Sequence, residues 1–204
     1  MKTAQIYKLF SLSILFVILS ACSTITSKGN NDGERYFSLT PLNEPYTEKA
    51  LSDQLILGVG PVEIPRSLNR PQLIYRKNNN EILFSEQNQW AGSLREEIQK
   101  VLVDRIIDVS GSSRIMHYPW LHDLKPEYEV RIRIERLDGV LGKEVVLEAH
   151  WDLLTSRGKE LLASRESRFE VELNSNDFLA YVIGQQTALT KLADEILDTV
   201  IANN

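Results

Sequence analysis

Three stretches in the second half of the chain alternate apolar and polar residues with a period of two, and this pattern commits them to a sheet. In YEVRIRIERLDG, Tyr128, Val130, Ile132 and Ile134 take one face, and Glu129, Arg131, Arg133 and Glu135 take the other. In KEVVLEAHWDLLTSRG, Val145, Leu147, Ala149, Trp151 and Leu153 alternate with Glu144, Glu148, His150 and Asp152. In SRFEVEL, Phe169, Val171 and Leu173 alternate with Glu170 and Glu172. Successive side chains of a strand point to opposite faces, so each segment buries one face and wets the other. Asp138-Gly139 and Arg157-Gly158 read as the turns between them. The expectation is an antiparallel meander with one solvated face.

The preceding sequence adds strands of another kind. RYFSLTPL opens the folded part with a strand over Tyr36, Phe37 and Leu39, stopped by Pro41. QLILGVGPVEIP (54–65) is nearly all apolar, which suits a strand covered on both faces. Leu73 to Arg76 and Ile82 to Ser85 form a hairpin around a turn at Asn78 to Asn80, because Asn tolerates the positive φ of such turns. SLREEIQKVLVDRIIDVSG is an amphipathic helix with Leu94, Ile98, Val101, Leu102 and Ile106 on one face. Ser93 and Glu96 have capping-box spacing, and Gly111 stands just past the end. RIMHY follows as a short strand, and the strand–helix–strand order favours a parallel pair.

A closing helix spans about Asp177 to Ala202, with Ser175 or Asn176 as cap and Asp177 suited to the helix dipole. Its stripe is Phe178, Val182, Leu189, Leu192, Ile196 and Val200. Gly184 and Gln185 interrupt that stripe, which suggests that its first half faces something other than the core. About eight strands and two main helices result, without internal repeats. The pattern alone leaves α/β and α+β both open.

The N-terminus has a separate logic. Lys2 and Lys8 precede an apolar run from Leu9 to Leu19, followed by Ser20, Ala21 and the only cysteine, Cys22. As a helix the run would reach roughly 16 Å, about half the hydrocarbon thickness of a bilayer. A basic start, a short apolar run and small residues together make an export signal. An exported lone cysteine has no disulfide partner in its own chain. Leu19-Ser20-Ala21-Cys22 resembles the bacterial lipobox. That resemblance implies a cut after Ala21, a diacylglyceryl thioether on Cys22 and an acyl chain such as palmitate on its new amino group. Residues 1–21 are then a lipoprotein signal peptide, 22–34 a lipidated tether, and 35–204 the folded domain. Ser23 after the lipidated position implies outer-membrane sorting, by resemblance to enteric lipoproteins. Several acyl chains hold a protein stably where one holds it only marginally. Loss of Lys2 and Lys8 takes the net charge from −5 to −7, which excludes the usual nucleic-acid binder.

Residues that carry chemistry are sparse. Glu148, His150 and Asp152 share one strand face, but i, i+2, i+4 positions stand about 6.5 Å apart, too far for one ion alone. A solvated face, with Arg131 and Arg133 as ion-pair partners from the next strand, fits them better. His117 and His122 lack the helical zinc spacing. No nucleophile elbow, phosphate loop or dinucleotide fingerprint appears, so neither a catalytic residue, a metal site nor a cofactor is expected apart from the lipid on Cys22. VGPVEIPRSLNRPQLIYR (59–76) stands out: Pro61, Pro65 and Pro71 stiffen strand-like sequence around Arg66 and Arg70.

That segment resembles the signature of the ABC-type transport auxiliary lipoproteins, the PqiC-like family. Arg35 to Leu39, QWAGSLREEIQKVLVDRI with Trp90 and Leu94, AHWDL (149–153) and LTKLADEI (189–196) follow in the family's order, with Phe37 where a second tyrosine is common. The resemblance implies an α/β domain of three layers, a mixed sheet with helices on its faces, related to the anticodon-binding-domain-like group. It further implies a non-enzymatic lipoprotein on the periplasmic face of the outer membrane of a Gram-negative bacterium. Such a protein serves a lipid transport system that supports membrane integrity, by docking an envelope-spanning protein with mammalian-cell-entry (MCE) domains. Pro65, Leu68, Arg70, Pro71 and Trp90 are the expected docking residues. A docking collar could close as a homo-oligomeric ring through heterologous contacts. The alternatives are a periplasmic lipid-binding carrier with a cavity near Gly184, and a metallohydrolase built on Glu148, His150 and Asp152.

Overall fold

A computed structural model of the chain describes residues 33–42, 45–52, 55–121, 125–155 and 160–204. Cys22, His122 and the Arg157-Gly158 turn lie outside the described residues.

The alternating segments become the long strands of one sheet: β6 (Tyr128–Val140), β7 (Glu144–Thr155) and β8 (Glu160–Glu172), paired antiparallel in that order. Val130, Ile132, Ile134, Val145, Leu147, Trp151 and Leu153 are almost fully buried. Arg131, Arg133 and Glu135 of the opposite face are exposed, so the one-wet-face expectation holds. The β6–β7 turn, however, lies at Leu141 to Lys143, with Gly142 at φ 71°. Asp138 and Gly139 sit inside β6. A Cβ on Gly139 would come within 1.9 Å of the Glu144 carbonyl oxygen, so glycine there serves close cross-strand approach rather than a turn.

Five shorter strands complete the sheet: β1 (Arg35–Phe37), β2 (Leu57–Glu63), β3 (Gln72–Asn78), β4 (Glu81–Trp90) and β5 (Ile115–His117). The β3–β4 hairpin forms as expected, and the expected parallel pair is β2 with β5. On the side away from β7, β6 pairs in parallel with β2 over Tyr128 to Arg133 and with β3 at Val140. The 64–71 loop therefore joins two strands that share one partner, and must step out of the sheet between them. This is the reason for prolines in an otherwise strand-like sequence. β2 is covered on both faces: Leu57 and Val59 are fully buried, and a Cβ on Gly58 would meet Trp120 and Pro126 at 2.6 Å on the other side.

Helix α1 (Leu94–Ser110) lies on β2 and β5, and α2 (Phe178–Ala202) on β6, β7 and β8. The mixed α/β class is as expected. The two helices also pack against each other. Ile98, Val101, Leu102 and Ile106 of α1 are fully buried, each stabilising the body by about 1.5–3 kcal/mol. The helix pair is pinned by Arg105, whose Nε and Nη2 donate to the two Asp194 carboxylate oxygens at 2.8 and 2.9 Å.

The caps depart from expectation in two places. Ser93 is the N-cap of α1, but its side chain makes no capping bond, so the expected capping box with Glu96 does not form; the next residue, Glu97, accepts from the Leu39 N–H. Asp177, not Ser175 or Asn176, caps α2 by accepting from the Ala180 N–H at 2.9 Å. Bonds from the Ser175 hydroxyl and that N–H hold the Asp177 carboxyl below its usual range. Gly111 closes α1 as expected, at φ 64°.

Gly184 and Gln185 face the core after all. A Cβ on Gly184 would stand 2.7 Å from Leu173 Cδ2 and 3.2 Å from Val145 Cγ2, and Gln185 Nε2 donates to the Leu137 carbonyl. The stripe is interrupted because helix and strands approach too closely there for a larger side chain.

Candidate functional site

The proline-punctuated loop is a fixed structure. The Pro65 carbonyl accepts from the Leu68 and Asn69 N–H groups, the Leu68 carbonyl from Arg70, and the Pro71 carbonyl from the Trp90 N–H at 2.7 Å. Leu68 and Trp90 are buried to 3% and 6% exposure. These two anchor the loop from beneath and cannot themselves meet a partner, which corrects their place in the expected surface. Pro65 is half-buried, and Arg66, Arg70 and Pro71 are exposed.

One exposed aromatic beside Arg70 was missed from the sequence. The Arg70 guanidinium carbon stands 4.2 Å from the centre of the Phe84 ring, and Phe84 is 47% exposed. A cation over an aromatic face is an attractive pair. Phe84 reaches it because Ile74 pairs with Phe84 across the hairpin, directly after the loop enters β3. The alternation of Ile82 and Phe84 was visible in the sequence, but the loop's return over the hairpin was not. Among the described residues neither Arg66 nor Arg70 forms an ion pair. The result is a rigid, cationic and aromatic platform on an acidic protein.

The hairpin beneath is held by a buried hydroxyl. Tyr181 of α2 donates to the Ile74 carbonyl at 2.8 Å and accepts from the Gly139 N–H at 2.9 Å. Burial, with Asp138 nearby, pushes its phenol pKa up. Beside it, Arg76 and Arg136 both donate to Asp138 Oδ1, at 2.6 and 2.7 Å. Asp138 in turn raises the Arg76 pKa. β3, β6 and α2 are thereby fixed to one another under the platform.

The wet face of the meander is a lattice of local pairs. Arg131 bonds Glu129 and Arg133 bonds Glu63, rather than the carboxylates of β7 expected as their partners. Glu148 is taken by Arg168. Ser164 donates to Asp152 at 2.6 Å and stands 3.3 Å from His150 Nε2. The serine proton thus points to the aspartate and not to the imidazole, the reverse of an activated nucleophile. Among the described residues no group of three or more His, Cys, Asp or Glu could hold a metal ion. No helix of the described residues is long and apolar enough to cross a membrane.

The described residues thus form a mixed α/β body with an exposed cationic and aromatic patch. Residues 37–197 match the family model of the ABC-type transport auxiliary lipoprotein component, and the chain belongs to that family. The fold recurs in solved structures: an uncharacterised protein at 16% identity covers 83% of this chain and 99% of its own, with a TM-score of 0.69. A protein from Xanthomonas campestris at 18% identity covers 82% and 98%, with a TM-score of 0.66. More distantly, the PelC dodecamer from Paraburkholderia phytofirmans is 10% identical over 76% of this chain and 95% of that one, at 0.46. No curated protein matches the chain.

Proposed function

We propose that the protein is a non-enzymatic outer-membrane lipoprotein, held by acyl chains on Cys22, that docks an envelope-spanning MCE-domain protein of a lipid transport system. Membership of the auxiliary lipoprotein family supplies the transport role. The observation that carries the docking role is the exposed Arg70–Phe84 pair, in which Arg70 stands on the segment that most resembles the family signature and Phe84 on the strand that follows. Exposed aromatic and arginine side chains on a fixed support are the residue types that dominate protein interfaces. Pro65, Arg66, Arg70, Pro71 and Phe84 form the contact face, with Leu68 and Trp90 as its support. The lipid-carrier reading needs a cavity inside the domain at Gly184; the space there is a groove open to solvent, and Leu173 and Val145 close its inner side.

Affinity purification of the tagged lipoprotein from solubilised membranes tests this. An MCE-domain protein should co-purify with the wild type and be lost with Arg70→Glu. Recovery of no such protein with the wild type contradicts the proposal.

A further inference from the structure

β5 leads directly into four uncharged residues in a row, Tyr118, Pro119, Trp120 and Leu121. Tyr118 is 46% exposed and Leu121 70%, the highest value for a large apolar residue among those described. Pro119 is exposed too, and Trp120 is half-buried. The row is held from beneath. The Tyr118 N–H donates to the Val59 carbonyl at 3.1 Å, and Gln99 Nε2 donates to the Tyr118 carbonyl at 2.9 Å. The Trp120 indole covers Gly58 of β2, where a Cβ would come within 2.6 Å of its ring. It also meets the Tyr118 ring edge-on, with 5.4 Å between centroids. The exposed side chains therefore stand on a fixed support.

Size, chemistry and charge indicate what this row meets. A stable protein interface takes about 20–30 residues a side, far more than the row offers. A body already tethered needs only a weak second contact, because the tether keeps the two surfaces at high effective concentration. The side chains are those that suit a bilayer surface: Trp and Tyr rings settle at headgroup level, and leucine reaches the acyl boundary. The charge suits anionic lipid. The chain carries 28 acidic residues against 23 Lys and Arg, yet none lies from Val109 to His122. Arg114 and His117, which precede the row, are both exposed. An acidic body approaches an anionic surface with least repulsion through such a stretch. The place of the row in the sheet fits as well. Leu57, beside Gly58, pairs with Tyr128 at the start of β6, and Arg76 of β3 pairs with Val140 at its end. The 13 residues of β6 extend about 40 Å. Trp120 and the Arg70–Phe84 platform thus stand toward opposite ends of that strand, and a surface touching the row leaves the platform clear.

We infer that Tyr118, Trp120 and Leu121 are a second membrane contact: they seat in the headgroup region of the same phospholipid surface that holds the acyl chains on Cys22. The inference rests on the Cys22 anchor and not on the identity of the docked partner. Residues 22–34 can extend to roughly 40 Å, which lets the row reach that surface. The anchor alone leaves the body free to turn about its tether, and the row fixes how it stands.

Tryptophan fluorescence of the lipoprotein reconstituted in vesicles of phosphatidylethanolamine and phosphatidylglycerol tests it, with acyl chains either plain or brominated near the headgroup. Bromine quenches an indole only on close approach, and of the three tryptophans Trp90 and Trp151 are buried. Wild-type emission should be lower in the brominated vesicles. The difference should vanish in Trp120→Phe and be largely lost in Leu121→Asp, with circular dichroism confirming the fold of each. Flotation reads the anchor separately, and both variants should float with the vesicles as the wild type does. A wild type that floats with equal emission in the two kinds of vesicle overturns the inference and leaves the anchor standing. So does a difference that persists in Trp120→Phe. Loss of the MCE-domain protein from Leu121→Asp on affinity purification, without quenching in the wild type, makes the row a protein contact instead. A wild type that does not float removes the anchor, and this inference with it.

Discussion

Replacing Tyr181 by Phe removes one oxygen from the centre of the body. The side chain is fully buried, and its hydroxyl bridges the Gly139 N–H of β6 and the Ile74 carbonyl of β3. Phenylalanine keeps the ring and its edge contact with Phe178, whose centroid lies 6.3 Å away, so almost no cavity opens. Two backbone groups are left without this partner. Each buried unsatisfied group costs about 1–3 kcal/mol, and one carbonyl lone pair can still be met by the ladder, so the sum is about 3 kcal/mol. For a body of this size each kcal/mol lowers Tm by about 2–4 °C, which makes the expected drop about 6–12 °C. Urea unfolding followed by circular dichroism, alongside thermal melts, measures both numbers. A loss below about 0.5 kcal/mol would refute the reasoning, since it would mean that the bridge is not what joins β3 to β6.

The same phenol gives a pH dependence. Its pKa is raised in the folded state, so above about pH 10 the unfolded chain releases a proton that the native one keeps, and stability falls as pH rises. Alkaline titration of stability should show a shallower fall in Tyr181→Phe than in the wild type. Gly139→Ala should prevent folding to a soluble product, because its Cβ would overlap the Glu144 backbone; expression in soluble form at wild-type levels would contradict that. Cys22→Ala should leave the circular dichroism of the body unchanged and move the protein from the membrane to the soluble fraction, and retention in the membrane would remove the anchor. Phe84→Ser should weaken partner recovery while shifting Tm by less than about 2 °C, since the ring is exposed; a large loss of stability would make Phe84 structural.

The sequence disclosed those parts of the fold whose periodicity outlasts local irregularity. β6 and β7 and the buried face of α1 could be read because one side chain in two, or one face in 3.6, is apolar throughout. Turn chemistry misled at Gly139, and the break in the apolar stripe misled at Gly184, because close packing and not positive φ or a polar surface demanded glycine at both. Capping residues were named one or two positions off because Ser175, Asn176 and Asp177 are all competent caps, and only the backbone selects Asp177. Of the docking face, the loop was legible from its prolines and arginines. Its support was not separable from its surface, since burial of Leu68 and Trp90 depends on β4 continuing to Trp90 before α1 begins. Phe84 escaped because its meeting with Arg70 is set by hairpin register.

Site-specific photo-crosslinking at position 84 in intact membranes tests the docking account most directly. With a photoreactive phenylalanine in place of Phe84, an MCE-domain protein should appear in the crosslinked product, and Arg70→Glu should abolish it while the lipoprotein stays in the membrane. Crosslinks to no MCE-domain protein, or crosslinks that persist undiminished in Arg70→Glu, would contradict the account.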